Sequence, residues 1–218
     1  MQHDFWHQRW QQNQIGFHSQ DVNSHLKTFW PHLKVGHGQR VLVPLCGKSQ
    51  DLLWLLAQGH SVVGIELSPL AVEAFFNENR LQPTIRKHGD FWINEIDGLQ
   101  IFCGDFFSLD SQDLGKIDAV YDRASLVALP PEMRIDYASH MGSLLESGTQ
   151  TLLVAFDYPQ HEMLGPPFSV NQSEIELLYR SWCEIEFLAG EDALSREAHF
   201  QQRGLTQLSE QVYKLKVI

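Results

Sequence analysis

From Gly38 onward, short β-branched runs alternate with amphipathic stretches, and that alternation leaves few folds open to the chain. Repeated strand–helix units build a largely parallel sheet with helices on its faces. Strands are expected at Arg40–Pro44, Ser61–Glu66, Leu99–Cys103, Ile117–Tyr121, Thr151–Phe156, Cys183–Ala189 and Glu210–Val217. Helices are expected at Ser49–Gln58, Pro69–Asn79, Pro131–Leu145 and Ser173–Trp182. Each of the last three has a start signal: Ser68-Pro69 as N-cap and first helical position, Pro131 in a first turn, and Ser173 followed by Glu176 as a capping box. The pattern predicts an α/β fold with a doubly wound, seven-stranded, mostly parallel sheet, its last strand antiparallel because only a short loop precedes it.

With 43% hydrophobic residues in a 218-residue chain, one domain over 1–218 is expected to fill its own core. Residues 1–35 stand outside the alternation as an aromatic arm, DFWHQRWQQNQIGFHS, followed by an expected helix over Asp21–Leu33. Phe5, Trp6 and Trp10 fall at near-helical spacing, which suits either a face docked on the core or a lid over a pocket. The formal net charge of −11 argues against a nucleic-acid partner, whose phosphates must be met by Lys and Arg. No run of about 18 apolar residues is present, and the start MQHDFWHQRW lacks a signal peptide's basic and apolar regions, so a cytoplasmic protein without membrane association is expected. Cys46, Cys103 and Cys183 have neither disulfide nor zinc spacing. His3 and His7 could share a helix face, but no third ligand is near, and no metal is expected.

Gly47-Lys48-Ser49 looks like the end of a phosphate-binding loop, yet the first glycine of G-x-x-x-x-G-K-S/T would fall on Leu42, inside an apolar strand. The same strand–turn–helix suits a different ligand. Open parallel sheets bind at the carboxyl ends of their strands, so the turn Pro44-Leu45-Cys46-Gly47 lines the expected site. There Gly47 allows close backbone approach, and the helix after it presents N–H groups to an anion. Glu66, nineteen positions on, ends the second strand, where a carboxylate can accept both hydroxyls of a ribose. A single glycine does not make the G-x-G-x-x-G that a pyrophosphate needs, whereas S-adenosylmethionine carries no phosphate. At the third strand's end, Asp105 could accept the adenine amino group and Phe106 could offer a ring surface, or Phe106 could be ordinary core.

These residues sit in motifs of a known family. The chain resembles the bacterial thiopurine S-methyltransferases from Phe5 almost to Ile218, through W-x-x-x-W-x-x-x-x-x-x-F-H (Trp6, Trp10, Phe17, His18), PLCGKS (Pro44–Ser49), GHSVVGIELS (Gly59–Ser68), YDRASLVAL (Tyr121–Leu129) and GPPF (Gly165–Phe168). The resemblance implies the Rossmann-like class I methyltransferase fold and S-adenosylmethionine as cofactor. It also implies methyl transfer to the sulfur of a small aromatic or heterocyclic thiol, with selenium or tellurium compounds as further acceptors. It places Trp10, Leu45, Glu66 and Arg123 at the cofactor, Trp6 near its methionine end, and Asp105 and Phe106 near adenine. Phe17 and Arg123 would be closest to the acceptor. Arg196 and Arg203 lie in segments that match the family loosely and stand as further acceptor candidates.

Methyl transfer from a sulfonium needs collinear alignment more than it needs a covalent intermediate. A thiol reacts as its thiolate, which a nearby cation favours, and Arg123 is the candidate for that role; the alternative is a salt bridge to Asp122. Lys48 would meet the cofactor's carboxylate or be solvated. An amino-methyltransferase is disfavoured by the missing D/N-P-P-Y/F motif, and a nicotinamide enzyme by the single-glycine loop. A cofactor-binding sensor without chemistry, and a methyltransferase with another small acceptor, remain alternatives. The expected oligomeric state is a monomer.

Overall fold

The computed structural model describes residues 3–16 and 18–218, arranged as two compact units, Met1–Tyr121 and Asp122–Ile218. Phe17 lies outside the described residues. In the first unit, β1 (Arg40–Val43) pairs in parallel with β2 (Ser61–Glu66), Val43 opposite Gly64, and β2 pairs in parallel with β5 (Leu99–Cys103), Glu66 opposite Cys103. On the other side of β1 lies β6 (Ala119–Arg123), also parallel, with Val41 opposite Ala119. The chain thus builds outward from β1 in one direction and returns to its other side, which makes the carboxyl ends of β1 and β6 the switch point of the sheet. Val41, Leu42, Val63, Ile101, Ala119 and Val120 are fully buried. They read as continuous apolar runs because helices cover parallel strands on both faces. Leu52 and Leu55 of α3 (Asp51–Ala57) and Val72 and Phe75 of α4 (Pro69–Glu78) belong to the same core, each side chain stabilising the fold by about 1.5–3 kcal/mol through burial.

Several expectations need correction. The described residues contain nine strands, not seven: β3 (Thr84–His88) and β4 (Phe91–Ile96) form an antiparallel hairpin that extends the sheet beyond β5, giving the order β3-β4-β5-β2-β1-β6 in this unit. Every residue of β3 is exposed, so its sequence TIRKH carries no inward-facing apolar residue to betray a strand. β6 starts two residues later than expected, because Asp118 takes the bond of Arg40 N–H at 2.9 Å and pairing begins with Ala119. α3 starts at Asp51 rather than Ser49. The helix expected over Asp21–Leu33 is shorter, α2 (Ser24–Phe29), capped by Asn23, and gives way to a 3₁₀ turn at Trp30–Leu33 that contains Pro31. The arm itself holds α1 (His3–Gln11), none of whose residues is buried, and the one-turn α5 (Ser111–Leu114), capped by Asp110, lies between β5 and β6.

The second unit holds α6 (Pro131–Leu144), β7 (Gln150–Asp157), α7 (Gln172–Tyr179), β8 (Cys183–Asp192), α8 (Ala198–Gln202) and β9 (Ser209–Val217). As expected of the last strand, β9 is antiparallel to its neighbours, here β7 on one side and β8 on the other. Asn171, not Ser173, caps α7, its Oδ1 accepting from Glu174 N–H at 3.0 Å. Tyr158, Met163, Ala193, Phe200, Leu205 and Leu208 form a small separate core. No helix of the described residues is long and apolar enough to cross a membrane.

One buried histidine ties α2 and its 3₁₀ turn to the sheet. The Trp30 indole N–H donates to His60 Nε2 at 3.0 Å, and Trp30 also meets Tyr121 edge-on. An indole can only donate, so this bond needs His60 Nε2 unprotonated. Burial lowers the His60 pKa from its ordinary value of 6.5. The folded state therefore favours neutral imidazole, and the resulting stability is complete above the unfolded value and declines as pH falls below it. Between about pH 7.5 and about pH 5.5, denaturant unfolding is expected to show a stability change that is less favourable at the lower pH in the unmodified protein than in His60→Gln, whose amide oxygen can still accept from Trp30; equal changes in the two would remove His60 from this role.

Candidate functional site

The first unit assembles its site at the carboxyl ends of β1, β2 and β5. After β1 the chain turns sharply: Leu45 has φ 45° and Gly47 φ 54°. Both lie in the left-handed region, where a non-glycine residue such as Leu45 is held at a cost of about 1–3 kcal/mol by its surroundings. The turn is clamped onto the end of β2 by Cys46 N–H donating to Ile65 O at 2.9 Å and Gly47 N–H donating to Glu66 Oε2 at 2.9 Å. Ser68 N–H donates to Glu66 Oε1 at 2.7 Å. Backbone donors thus fix both carboxylate oxygens, with Leu67 N–H contributing a third bond. Burial pushes the Glu66 carboxyl up to about 7, against the lowering effect of these backbone bonds. The same environment acts on Cys46, which is 6% exposed: burial and the Glu66 charge push its thiol well above the ordinary range.

Gly47 also brings in the arm. A Cβ on Gly47 would stand 3.4 Å from Cζ2 of Trp10, so the indole lies against bare backbone. Trp6 lies one helical turn earlier on the same face of α1 and meets Phe5 edge-on, ring centroids 5.3 Å apart. The helix is held at its other end by His3 Nε2, 3.2 Å from Asp105 Oδ2. Asp105 stands beyond β5, where Gly104 N–H donates to Glu66 O at 2.9 Å. Its Oδ1 accepts from Phe107 N–H at 3.0 Å, so both carboxylate oxygens already have partners within the chain. Phe106 is buried, 5% exposed, and meets Phe107 edge-on. Gly104 is required for a separate reason: a Cβ there would approach the Phe91 ring to 2.5 Å.

Trp10, Leu45, Gly47, Glu66, Asp105 and Phe106 are therefore brought together, with Trp6 on the same helix as Trp10. Arg123, the last residue of β6, is half-buried. The alternative role, a salt bridge to Asp122, is not formed among the described residues: the Asp122 carboxylate accepts instead from Tyr137 O–H at 2.7 Å and Leu126 N–H at 3.3 Å. Phe17 is not among the described residues. Lys48 is not solvated; it is buried and pairs with Glu78 at 2.6 Å. The expected anion-facing start of α3 is altered as well, because Asp51 occupies it and is buried, accepting from Asn23 N–H at 2.8 Å and from Tyr121 O–H at 3.0 Å. Of the further acceptor candidates, Arg196 is engaged with Glu191 and Glu210.

Two residues of the candidate site in the first unit are not marked as such by the sequence. His3 stands out only for its spacing from His7, and its partner is a carboxylate about a hundred residues away in sequence. Ser68 marks a helix start, but its hydroxyl makes no cap bond; it is fully buried and finds no partner among the described residues. An orphaned hydroxyl beside a carboxylate with spare lone pairs fits a ligand rich in hydroxyls, as an adenosine is.

The chain is similar to known proteins along almost its whole length. A family model described as Thiopurine S-methyltransferase (TPMT) matches residues 1–217. The chain is 50% identical to the thiopurine S-methyltransferase of Nitrosospira multiformis over 217 residues, 99% of this chain and 98% of that protein. It is 49% identical to that of Pseudomonas fluorescens over 216 residues, 99% of both. Among solved structures, it resembles a SAM-dependent methyltransferase from Anabaena variabilis, with TM-score 0.63 and 14% identity over 99% of this chain and 95% of that one. A Burkholderia thailandensis 1,6-didemethyltoxoflavin-N1-methyltransferase, solved with S-adenosylhomocysteine, gives TM-score 0.63 and 14% identity over 99% of this chain and 87% of that one. At such identities the structural likeness speaks for the fold, and the mixed sheet with its parallel centre is that of the class I methyltransferases. Matched along its length by sequence and carrying that fold, the chain belongs to the thiopurine S-methyltransferase family of S-adenosylmethionine-dependent methyltransferases.

Proposed function

We propose that the protein transfers the methyl of S-adenosylmethionine to the sulfur of an aromatic or heterocyclic thiol of the thiopurine type, with selenium or tellurium compounds as acceptors of related chemistry. The observation that carries the reading is Glu66, held rigidly at the tip of β2 by the backbone N–H groups of Gly47, Leu67 and Ser68, which still leave it acceptor capacity for a ligand. That remaining capacity suits a ribose hydroxyl. The positive-φ turn at Leu45–Gly47 brings backbone close to the Trp10 indole, which would form one wall for the ligand. Phe106 is buried beside Asp105 and backs that end of the site; since the Asp105 oxygens are already engaged, adenine contact there would fall to the spare lone pair of a carboxylate or to neighbouring backbone.

When bound, S-adenosylmethionine supplies a methyl on a positively charged sulfur. Trp6 and Trp10 exclude water from that charge and attract it through their ring faces, by about 0.5–2 kcal/mol. Because the charge vanishes on transfer, this attraction favours binding more than it lowers the barrier. Arg123 supplies what the acceptor needs: a guanidinium lowers the pKa of a nearby thiol and holds the thiolate that attacks. Fixing the two partners in line is the larger effect, worth about 7–11 kcal/mol when the geometry is good.

Two outcomes test the assignment. Because Glu66 accepts the hydroxyls as an anion and titrates at about 7 in the free protein, affinity for S-adenosylhomocysteine should strengthen as pH rises through that value. In Glu66→Gln it should be weaker and lose this dependence; calorimetry across the range checks both, and an unchanged profile removes Glu66 from the site. Arg123→Ala should lower kcat/KM for a thiopurine by about a hundredfold near neutral pH, and the deficit should narrow as pH rises through the acceptor's own pKa, when the thiolate forms unaided. Product formation from labelled donor measures it; binding of the donor without any methyl transfer would point instead to a sensor.

A further inference from the structure

The turn after β6 is braced from within the second unit in a way the transfer reaction by itself does not demand. Asp122 is 2% exposed and alternates with Arg123 along the strand, so the two side chains leave opposite faces of β6. Its carboxylate reaches over the turn to Leu126 N–H at 3.3 Å and receives the Tyr137 hydroxyl of α6 at 2.7 Å. Ser125 is fully buried, and its single hydroxyl hydrogen can go to the carbonyl of Arg123 at 3.4 Å or to the Asp122 carboxylate. Between them Ala124 is held at φ 63°, a conformation that costs an alanine about 1–2 kcal/mol and persists only when its neighbours dictate it. The residue immediately before this strained point is Arg123.

We infer that Tyr137, acting through Asp122 and the strained Ala124 turn, is a positioning residue that sets where the Arg123 guanidinium stands during methyl transfer. The inference rests on the role of Arg123 proposed above. Burial raises the Asp122 carboxyl and the bonds from Tyr137, Leu126 and Ser125 oppose that rise, which leaves it at about 6. The anion, the stronger acceptor, therefore persists at neutral pH and keeps the brace tight. A buried hydroxyl used only for packing would stabilise the unit without any link to Arg123. A brace on the arginine turn instead ties the hydroxyl to turnover, because misplacing a reacting group by about 1 Å can cost about a hundredfold in rate.

The test is a double-mutant cycle on the full-length protein. Tyr137→Phe removes the hydroxyl and keeps the ring; Ser125→Ala removes the second hydroxyl with little change in volume and carries the test should Tyr137→Phe be unfolded by thermal melting. Each variant is expected to lower kcat for a thiopurine about tenfold or more, with affinity for S-adenosylhomocysteine within about twofold of the unmodified protein. In an Arg123→Ala background the same changes should alter turnover by less than about twofold, since the group they position is gone. Losses of equal factor in both backgrounds, or unimpaired turnover in both variants, would overturn the inference and leave the transfer reading intact. Absence of thiol methylation by the unmodified protein would overturn that reading and the inference with it.

Discussion

The first unit depends on the carboxylate of Glu66. It is buried at the end of β2, and it receives backbone N–H groups from two separate segments, Gly47 after β1 and Ser68 before α4. A carboxyl in so dry a place would by burial alone be neutral, and the hydrogen bonds that oppose this also determine the path of both loops. The Pro44–Gly47 turn is thereby closed onto β2, the strained Leu45 is held, and Gly47 is presented to Trp10. Shortening the side chain at position 66 would release all of these together.

The same device recurs. Asp51 starts α3 and accepts from Asn23 N–H and the Tyr121 hydroxyl; Asp122 ends β6 and accepts from Leu126 N–H and the Tyr137 hydroxyl. In each case a buried carboxylate satisfies the backbone of an irregular segment that has no ladder or helix to satisfy it. Buried polar networks that are fully paired impose one conformation, whereas apolar packing tolerates several. Loops that must hold a ligand accurately gain from that, and Glu66 and Asp122 lie directly beside the residues assigned to donor and acceptor.

Much of this was legible in advance, for reasons that can be named. Parallel strands buried on both faces have nowhere to put a polar residue, so β1, β2 and β5 announce themselves by composition, and β2 and β5 have the expected bounds. β3 does not, because an edge strand exposed along its length is under no such constraint. The position of Glu66 followed from strand length and turn. What could not be read was which backbone groups would occupy it, or that Lys48 would pair with Glu78, since these depend on contacts between residues far apart in sequence. Asn171 outcompeting Ser173 as a cap is a smaller case: both residue types suit the position, and only the path of the incoming chain decides.

Cys46 lies in the very turn that Glu66 clamps, and burial together with that carboxylate holds its sulfur in the protonated form. In a methyltransferase a thiolate in this turn would be a nucleophile able to compete for the methyl group. Burial, helped by the carboxylate that orders the turn, thus keeps the Cys46 thiol inert.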